Sequence, residues 1–102
     1  MKALKIEPTG KTEIIEMDGT IEEQNECIWE ILDSYFDIVH LAYGALLLVN
    51  DEGLLRGLPI NHEAMRISHY PMLVGTALIV GTEDTEDGEI FTDCPDYYLE
   101  YA

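Results

Sequence analysis

Two apolar runs constrain the fold of this 102-residue sequence more than any other feature. The first run, Leu46 to Val49, is uninterrupted, which is typical of a central strand that does not present one face to water. The second run, MLVGTALIVG at residues 72–81, is the strongest strand candidate in the chain. Its two glycines permit a bend or the close approach of another segment. The sequence therefore predicts a sheet that contains both runs.

The N-terminal third is predicted to contain a hairpin and a helix. Apolar and polar residues alternate on both sides of a Pro-Thr-Gly turn, which favours a β-hairpin within residues 1–17. Thr20 and Glu23 match the capping box, so we expect a helix from Ile21 to about Ser34. The residues that can share its apolar face are Ile21, Ile28, Ile31 and Leu32. Trp29 flanks this face and is interpreted as a buried anchor, with a partner contact as the alternative.

Weaker patterns predict the remaining elements. A strand is predicted with Phe36, Ile38 and His40 at alternate positions on one face. Residues 58–71 are predicted to form a loop with a helical turn at Glu63–Ile67. A turn is expected near Gly88, either in a short hairpin or at a loop tip, and a short C-terminal helix would be capped at Thr92 or Asp93. We expect one α+β domain over residues 1–102, with an antiparallel or mixed sheet of about five strands and one main helix packed on it.

Charge limits the possible partners. The chain has 21 acidic and 5 basic residues, a formal charge of −16, although its 47% apolar content is too high for a disordered chain. Direct binding to nucleic acid or to an anionic membrane needs a basic face, so neither is expected. A basic protein partner is favoured, because the acidic field would speed that encounter.

The acids are also segregated from the bases. Residues 12–55 contain 11 acids and residues 67–102 contain 8, and neither stretch has a lysine or arginine. The candidate partner-binding residues are Glu22, Glu26, Glu30 and Asp33 on the helix, and Glu83, Asp84, Glu86, Asp87, Glu89, Asp93 and Asp96 in the tail. The helix acids span about 16 Å, which approaches the spacing of charges on one nucleic-acid strand. The alternative is that the charge serves only solubility.

Patterns for catalysis and for metal binding are incomplete. HEAMR lacks the second zinc-binding histidine, because Arg66 stands four residues after His62. An EF-hand alignment on Gly88 fails because Cys94 stands where the bidentate glutamate belongs. Cys27 and Cys94 have no metal-ligand spacing and are expected to be reduced thiols. We therefore expect a protein that is not an enzyme and that has no metal and no cofactor.

A second candidate site lies in the irregular segment GLPINHEAM, which is bracketed by Arg56 and Arg66. These arginines, together with Asn61 and His62, are candidates for binding a small anionic ligand such as a nucleotide. The alternative is that each arginine pairs with one of the protein's own carboxylates.

Three motifs, in their order and spacing, resemble a family of small proteins with a domain of unknown function, found mostly in phages, plasmids and related mobile elements. They are KALKIEP at the start, NDEGLLRGLPIN in the middle and VGTALIVG before the acidic tail, and the resemblance covers essentially the whole chain. His62 departs from the pattern, since family members often have a basic residue there. The family has no established enzymatic activity that the resemblance would carry over to this chain. Its mobile-element setting implies counter-defence, and some similar proteins are anti-CRISPR inhibitors of Cas9-type nucleases.

We therefore expect a phage-type counter-defence inhibitor, an acidic nucleic-acid mimic that binds the basic nucleic-acid groove of a defence nuclease. The alternatives are a protein that sequesters a small nucleotide signal and a non-catalytic regulatory domain. The N-terminal apolar stretch is too short for a signal peptide, and the longest apolar run is about half of a membrane span. The expected location is the cytoplasm of the host cell.

Overall fold

The computed structural model describes residues 1–102 and contains six strands and three helices. The strands are β1 (Lys2–Ile6), β2 (Thr12–Glu16), β3 (Phe36–Leu41), β4 (Ala45–Asn50), β5 (Ala77–Thr85) and β6 (Gly88–Thr92). The helices are α1 (Ile21–Leu32), α2 (His62–Ser68) and α3 (Asp96–Leu99). The predicted α+β class is confirmed, with six strands instead of about five. None of the helices combines the length and the apolar content that crossing a membrane requires.

All six strands belong to one antiparallel sheet with the order β2-β1-β5-β4-β3, and β6 pairs with β5. The first half of β5 lies between β1 and β4, and its second half, from Gly81 to Thr85, pairs with β6. At Gly81 an added Cβ would lie 2.2 Å from the carbonyl oxygen of Asp93. The residue where the β5–β6 hairpin leaves the rest of the sheet must therefore be glycine, which explains one glycine of the apolar run.

Helices cover both faces of the sheet, and this explains why β4 and β5 are apolar without alternation. The side chains of β4 and β5 that point toward α1 are Leu46, Leu48, Leu78 and Val80. Those that point toward α2 and α3 are Ala45, Leu47, Ala77 and Ile79. Ile28 and Leu32 of α1 close the first cluster, while Ala64 and Ile67 of α2 and Tyr98 of α3 close the second. The expectation of one main helix was incomplete, because a strand that is apolar on both faces needs cover on both.

The capping box predicted for α1 is confirmed. The Thr20 hydroxyl accepts a hydrogen bond from the Glu23 N–H at 3.1 Å, and the Glu23 carboxylate accepts one from the Thr20 N–H at 3.2 Å. The helix ends at Leu32, because the next residue, Asp33, has a left-handed conformation with φ 58°. The interpretation of Trp29 as a buried anchor was wrong, since its side chain is 54% exposed. Ile21 was wrongly placed on the buried face and is also exposed.

The other local predictions were confirmed in part. The hairpin within residues 1–17 is β1–β2, and the turn near Gly88 closes the β5–β6 hairpin. The helical turn at Glu63–Ile67 is part of the longer helix α2. The C-terminal helix begins after Pro95 rather than after Thr92 or Asp93, and no side chain caps it. The strand predicted over MLVGTALIVG begins only at Ala77, because Gly75 turns the chain with φ 75°.

Candidate functional site

The first group of predicted partner-binding carboxylates lies on α1. Glu22, Glu26 and Glu30 are exposed and recur every four residues, so they form one row along the helix. Each step advances about 6 Å along the axis. This is close to the separation of alternate phosphates on one strand of nucleic acid, about 7 Å. None of the three carboxylates takes part in an ion pair.

Asp33 does not continue this row. Its Oδ2 atom lies 2.6 Å from Nη2 of Arg56, and its carbonyl oxygen accepts a second hydrogen bond from Arg56 Nη1 at 2.8 Å. The hydrogen bond to Asp33 raises the pKa of Arg56. Arg56 therefore closes the C-terminal end of α1 and neutralises the charge of Asp33.

The second group lies on the β5–β6 hairpin. It carries Glu83, Asp84, Glu86, Asp87 and Glu89, all of which are exposed. Asp84 pairs across the ladder with Glu89, and both share the face of Phe91, which packs toward α1. Glu83 points to the opposite face because side chains alternate along a strand, and Glu86 and Asp87 lie between the two strands. The hairpin therefore divides its carboxylates between two faces.

The last two predicted acids have other surroundings. Oδ1 of Asp93 accepts a hydrogen bond from the Lys2 backbone N–H at 2.8 Å. Asp96 lies in the first turn of α3, on the face of the sheet opposite to α1. The eleven carboxylates thus do not form one surface. Those on the α1 side, here called the α1-side carboxylates, are Glu22, Glu26, Glu30, Asp84 and Glu89.

An apolar groove, the α1 groove, separates the carboxylates of the helix from those of the hairpin. Its volume is about 400 Å³, and its lining residues are Ile21, Gln24, Asn25, Phe36, Ile38, Glu89, Ile90 and Phe91. The rings of Phe36 and Phe91 lie 6.0 Å apart. A smaller hollow of about 290 Å³ shares Asn25 and Phe36 with this groove. There the exposed ring of Trp29 stacks on Tyr35, with centroids 6.0 Å apart.

These apolar residues were missed by the reasoning from sequence. Ile21 was assigned to the buried face of the helix, and Trp29 beside that face was interpreted as a buried anchor, with a partner contact as the alternative. Ile90 and Phe91 received no role. The available signal was the position of Ile90 and Phe91 within a segment that is otherwise dominated by carboxylates. Neighbouring apolar side chains in such a segment are candidates for the core or for a contiguous apolar patch on the surface.

The structure does not bring the four candidate ligand-binding residues in and beside the GLPINHEAM segment together in one site. Arg66 pairs with Glu63, which raises the pKa of the guanidinium, and its Cζ lies 5.6 Å from the ring centroid of Tyr101. Arg56 is engaged with the end of α1, as described above. His62 is exposed at the start of α2. None of these residues lines the α1 groove, the hollow beside Trp29 or a third cavity that lies beside Val39 and Leu54. Both arginines therefore pair with the protein's own carboxylates.

Asn61 supports the fold, and its side chain is not accessible to a ligand. The side chain is fully buried, and its amide donates to the carbonyl oxygens of Ile6 at 2.9 Å and Gly75 at 2.8 Å. Its Oδ1 atom accepts from the Ala64 N–H at 3.0 Å and so caps α2. The interpretation of Asn61 as a ligand-binding residue is corrected accordingly, because its polar atoms are already satisfied.

The groups that could serve as metal ligands or nucleophiles are dispersed. No three His, Cys, Asp or Glu side chains are arranged to hold a metal ion. His40 Nε2 lies 3.5 Å from Glu89 Oε2. Both cysteines are free, and burial raises the pKa of the Cys94 thiol to about 12. A thiol with this pKa remains protonated at neutral pH and is a poor nucleophile.

Comparison with known protein families identifies a match that covers the whole chain. The model of a domain of unknown function (DUF3846) matches residues 1–102. The chain belongs to this family. Membership supports the resemblance to a domain of unknown function that the three sequence motifs indicated. Comparisons with curated proteins and with solved structures find no match.

Proposed function

We propose that this member of the family is a non-catalytic inhibitor that occupies the basic nucleic-acid groove of another protein. The target class is a defence nuclease of Cas9 type or a similar enzyme. The observation that carries the proposal is the set of α1-side carboxylates, which are exposed and lie on α1 and on the β5–β6 hairpin, on the two sides of the α1 groove. The row on α1 has no basic residue to neutralise it.

The physical basis of the proposal is competition for lysine and arginine. A nucleic-acid groove is lined with these residues, and it holds the nucleic acid through its phosphates. Carboxylates spaced about 6 Å apart on a helix could engage every second phosphate position along the backbone. A folded domain holds these charges in a fixed arrangement, so it loses little conformational entropy when it binds.

Displacement of nucleic acid tests the proposal directly. The protein would be titrated into complexes of fluorescein-labelled DNA with a panel of purified defence nucleases, Cas9-type enzymes included, while anisotropy reports the release of the DNA. The helix variant Glu22→Gln, Glu26→Gln, Glu30→Gln should displace DNA at least about tenfold more weakly, since close charge pairs across an interface couple by about 1.5 kcal/mol or more. Its salt dependence should also be flatter.

A matched variant controls for net charge. Glu52→Gln, Glu83→Gln, Glu100→Gln also removes three exposed charges that take no part in an ion pair, but these residues lie after β4, on the hairpin face opposite to α1 and after α3. Both variants therefore have a net charge of −13, starting from −16. The control should displace DNA nearly as well as the original protein. If both variants displace DNA equally weakly, net charge alone explains the effect and the row on α1 has no specific role. If the original protein displaces DNA from none of the nucleases, the proposal is contradicted.

A further inference from the structure

The edge strand β3 is unusually open to another strand. It lies at one end of the sheet and pairs only with β4. Its sequence, FDIVHL, contains neither proline nor lysine, the residues that natural proteins most often use to block an edge. The backbone groups on its outer side have no partner among the hydrogen bonds of the protein. An extended segment could therefore pair with β3 through main-chain hydrogen bonds.

Apolar grooves flank this edge on both faces of the sheet. On one side the α1 groove is lined by Phe36 and Ile38. On the other side a second groove, here called the distal groove, has a volume of about 610 Å³ and is lined by Val39 together with Leu54, Tyr70 and Met72, among others. Because successive side chains of a strand point to opposite faces, a strand added beside β3 would direct them alternately into the two grooves.

Exposed apolar side chains are concentrated around this edge. Nine of the thirteen large hydrophobic residues that are exposed line the α1 groove, the distal groove or the Trp29–Tyr35 hollow. The four that lie elsewhere are Ile14, Tyr43, Ile60 and Tyr97. Single exposed apolar residues are normal on a protein surface, whereas a contiguous group marks a surface that binds a partner.

The charge around β3 defines the chemistry of that partner. Each cavity includes at least one carboxylate, which is Glu89 in the α1 groove, Asp37 and Asp51 in the distal groove and Glu26 in the hollow. No lysine or arginine lines any of them. A second copy of this chain would bring another charge of −16 to the same edge and would be repelled. The occupant that fits is apolar at its centre and basic at its ends.

We propose that β3 is a docking edge for an extended basic segment of the partner protein. The segment adds to the sheet as a further strand, its central apolar side chains enter the α1 groove and the distal groove, and its flanking lysines or arginines meet the carboxylates around them. This inference rests on the proposed function, because it identifies the part of a basic partner that the protein holds. Hydrogen bonds along the strand supply affinity, and the two grooves supply selectivity.

The test uses a defined peptide in place of the unidentified partner. A short fluorescein-labelled synthetic peptide carries four central Ile and Val residues and two lysines at each end, and anisotropy measures its binding. Ile38→Lys should weaken binding by about tenfold or more, since a lysine on an edge strand opposes strand addition. Ile14→Lys is the matched control, because Ile14 lies in the other edge strand, β2, with similar exposure, 48% against 42% for Ile38. This control should bind the peptide as the original protein does.

Two further measurements locate the peptide. A proline at the centre of the peptide should abolish binding, because it removes a main-chain donor, and glutamates in place of the lysines should abolish it as well. Hydrogen exchange should show slower exchange of β3 amides when the peptide is bound. Absence of peptide binding, equal binding to Ile38→Lys and the original protein, or protection elsewhere in the sheet would overturn the docking edge. A dimer that Ile38→Lys dissociates, seen by light scattering, would assign the edge to a second copy instead.

The outcome for this edge can be separated from the outcome for the proposed function. If the helix variant loses displacement of DNA from a nuclease while Ile38→Lys retains it, the inhibitor proposal stands and the docking edge is overturned. If the peptide binds at β3 but no nuclease releases its DNA, the docking edge stands and the inhibitor proposal is overturned. Loss of both activities in Ile38→Lys, with Ile14→Lys intact, supports both.

Discussion

Replacing Asn61 by alanine tests whether this residue supports the fold or serves a ligand. Its side chain joins three parts of the chain, because the amide bonds to the backbone of β1 and of Gly75 while Oδ1 caps α2. All three hydrogen bonds are buried and lie between 2.8 and 3.0 Å. Asn61→Ala removes them together and leaves their backbone partners without this side chain.

The expected loss follows from these three bonds. Each contributes about 0.5–1.5 kcal/mol net, so together they amount to roughly 1.5–4.5 kcal/mol. We expect a loss of about 3 kcal/mol in the free energy of unfolding, a large fraction of the roughly 5–15 kcal/mol that stabilises a typical domain. The midpoint of thermal unfolding should fall by roughly 12–24 °C, at about 4–8 °C per kcal/mol for a domain of this size.

Chemical denaturation followed by circular dichroism measures the loss, with His62→Ala as the control. His62 is the next residue and is exposed, so its replacement should change stability by less than about 0.5 kcal/mol. A loss below about 1 kcal/mol for Asn61→Ala, with an unchanged denaturant dependence, would refute this account of the residue.

Asn61→Asp refines the same test through pH. The variant keeps the oxygen that caps α2, but its carboxylate cannot donate to the carbonyl oxygens of Ile6 and Gly75. Burial beside these oxygens should raise the pKa of the introduced carboxyl above its unfolded value of about 3.9. Below about pH 3.9 the introduced carboxyl is protonated in both the folded and the unfolded state, so the loss of stability relative to the original protein should be smallest there. The loss should grow as the pH rises from this value through the raised pKa of the folded state. A loss independent of pH would contradict this assignment.

Three other outcomes are expected. Thr20→Ala should lower the free energy of unfolding by about 0.5–2 kcal/mol in denaturant titrations, because it removes the cap of α1; unchanged stability would count against the cap. Gly81→Ala should cost more than about 2 kcal/mol, since its Cβ would collide with the Asp93 carbonyl oxygen. In thiol labelling of the native protein at pH 8, the partly exposed Cys27 should react while the buried Cys94 should not. Rapid labelling of both thiols without unfolding would contradict the assigned burial.

Local signals in the sequence were sufficient wherever the physical cause was also local. The capping box around Thr20 involves only neighbouring residues, and it gave the start of α1 correctly. The alternation before Met17 gave the β1–β2 hairpin, and the apolar run Leu46–Val49 gave a central strand. The exposure of Glu22, Glu26 and Glu30 followed from their charge and helical spacing.

The tertiary structure decided which of these residues act together. Asp33 was assigned to the acidic row, but Arg56, 23 positions away, holds it at the end of α1. Asn61 was assigned to a ligand, but the packing of β1 against α2 buries it among backbone partners that sequence position does not indicate. In both cases the deciding partner is remote in the chain, so no local pattern contains it.

The sequence by itself determined the composition of the surface: an acidic folded domain without a basic face, whose strands are apolar enough to form a covered sheet. It did not determine where the surface is concave or which carboxylates share a side. The α1 groove depends on the β5–β6 hairpin, which extends beyond the rest of the sheet from Gly81 and places the ring centroid of Phe91 6.0 Å from that of Phe36 on β3. The distal groove depends on the segments around Leu54 and Met72, which pack beside β3. Contacts between distant segments form only when the whole sheet is assembled, and for that reason the grooves beside β3 are a property of the fold and not of any segment of its sequence.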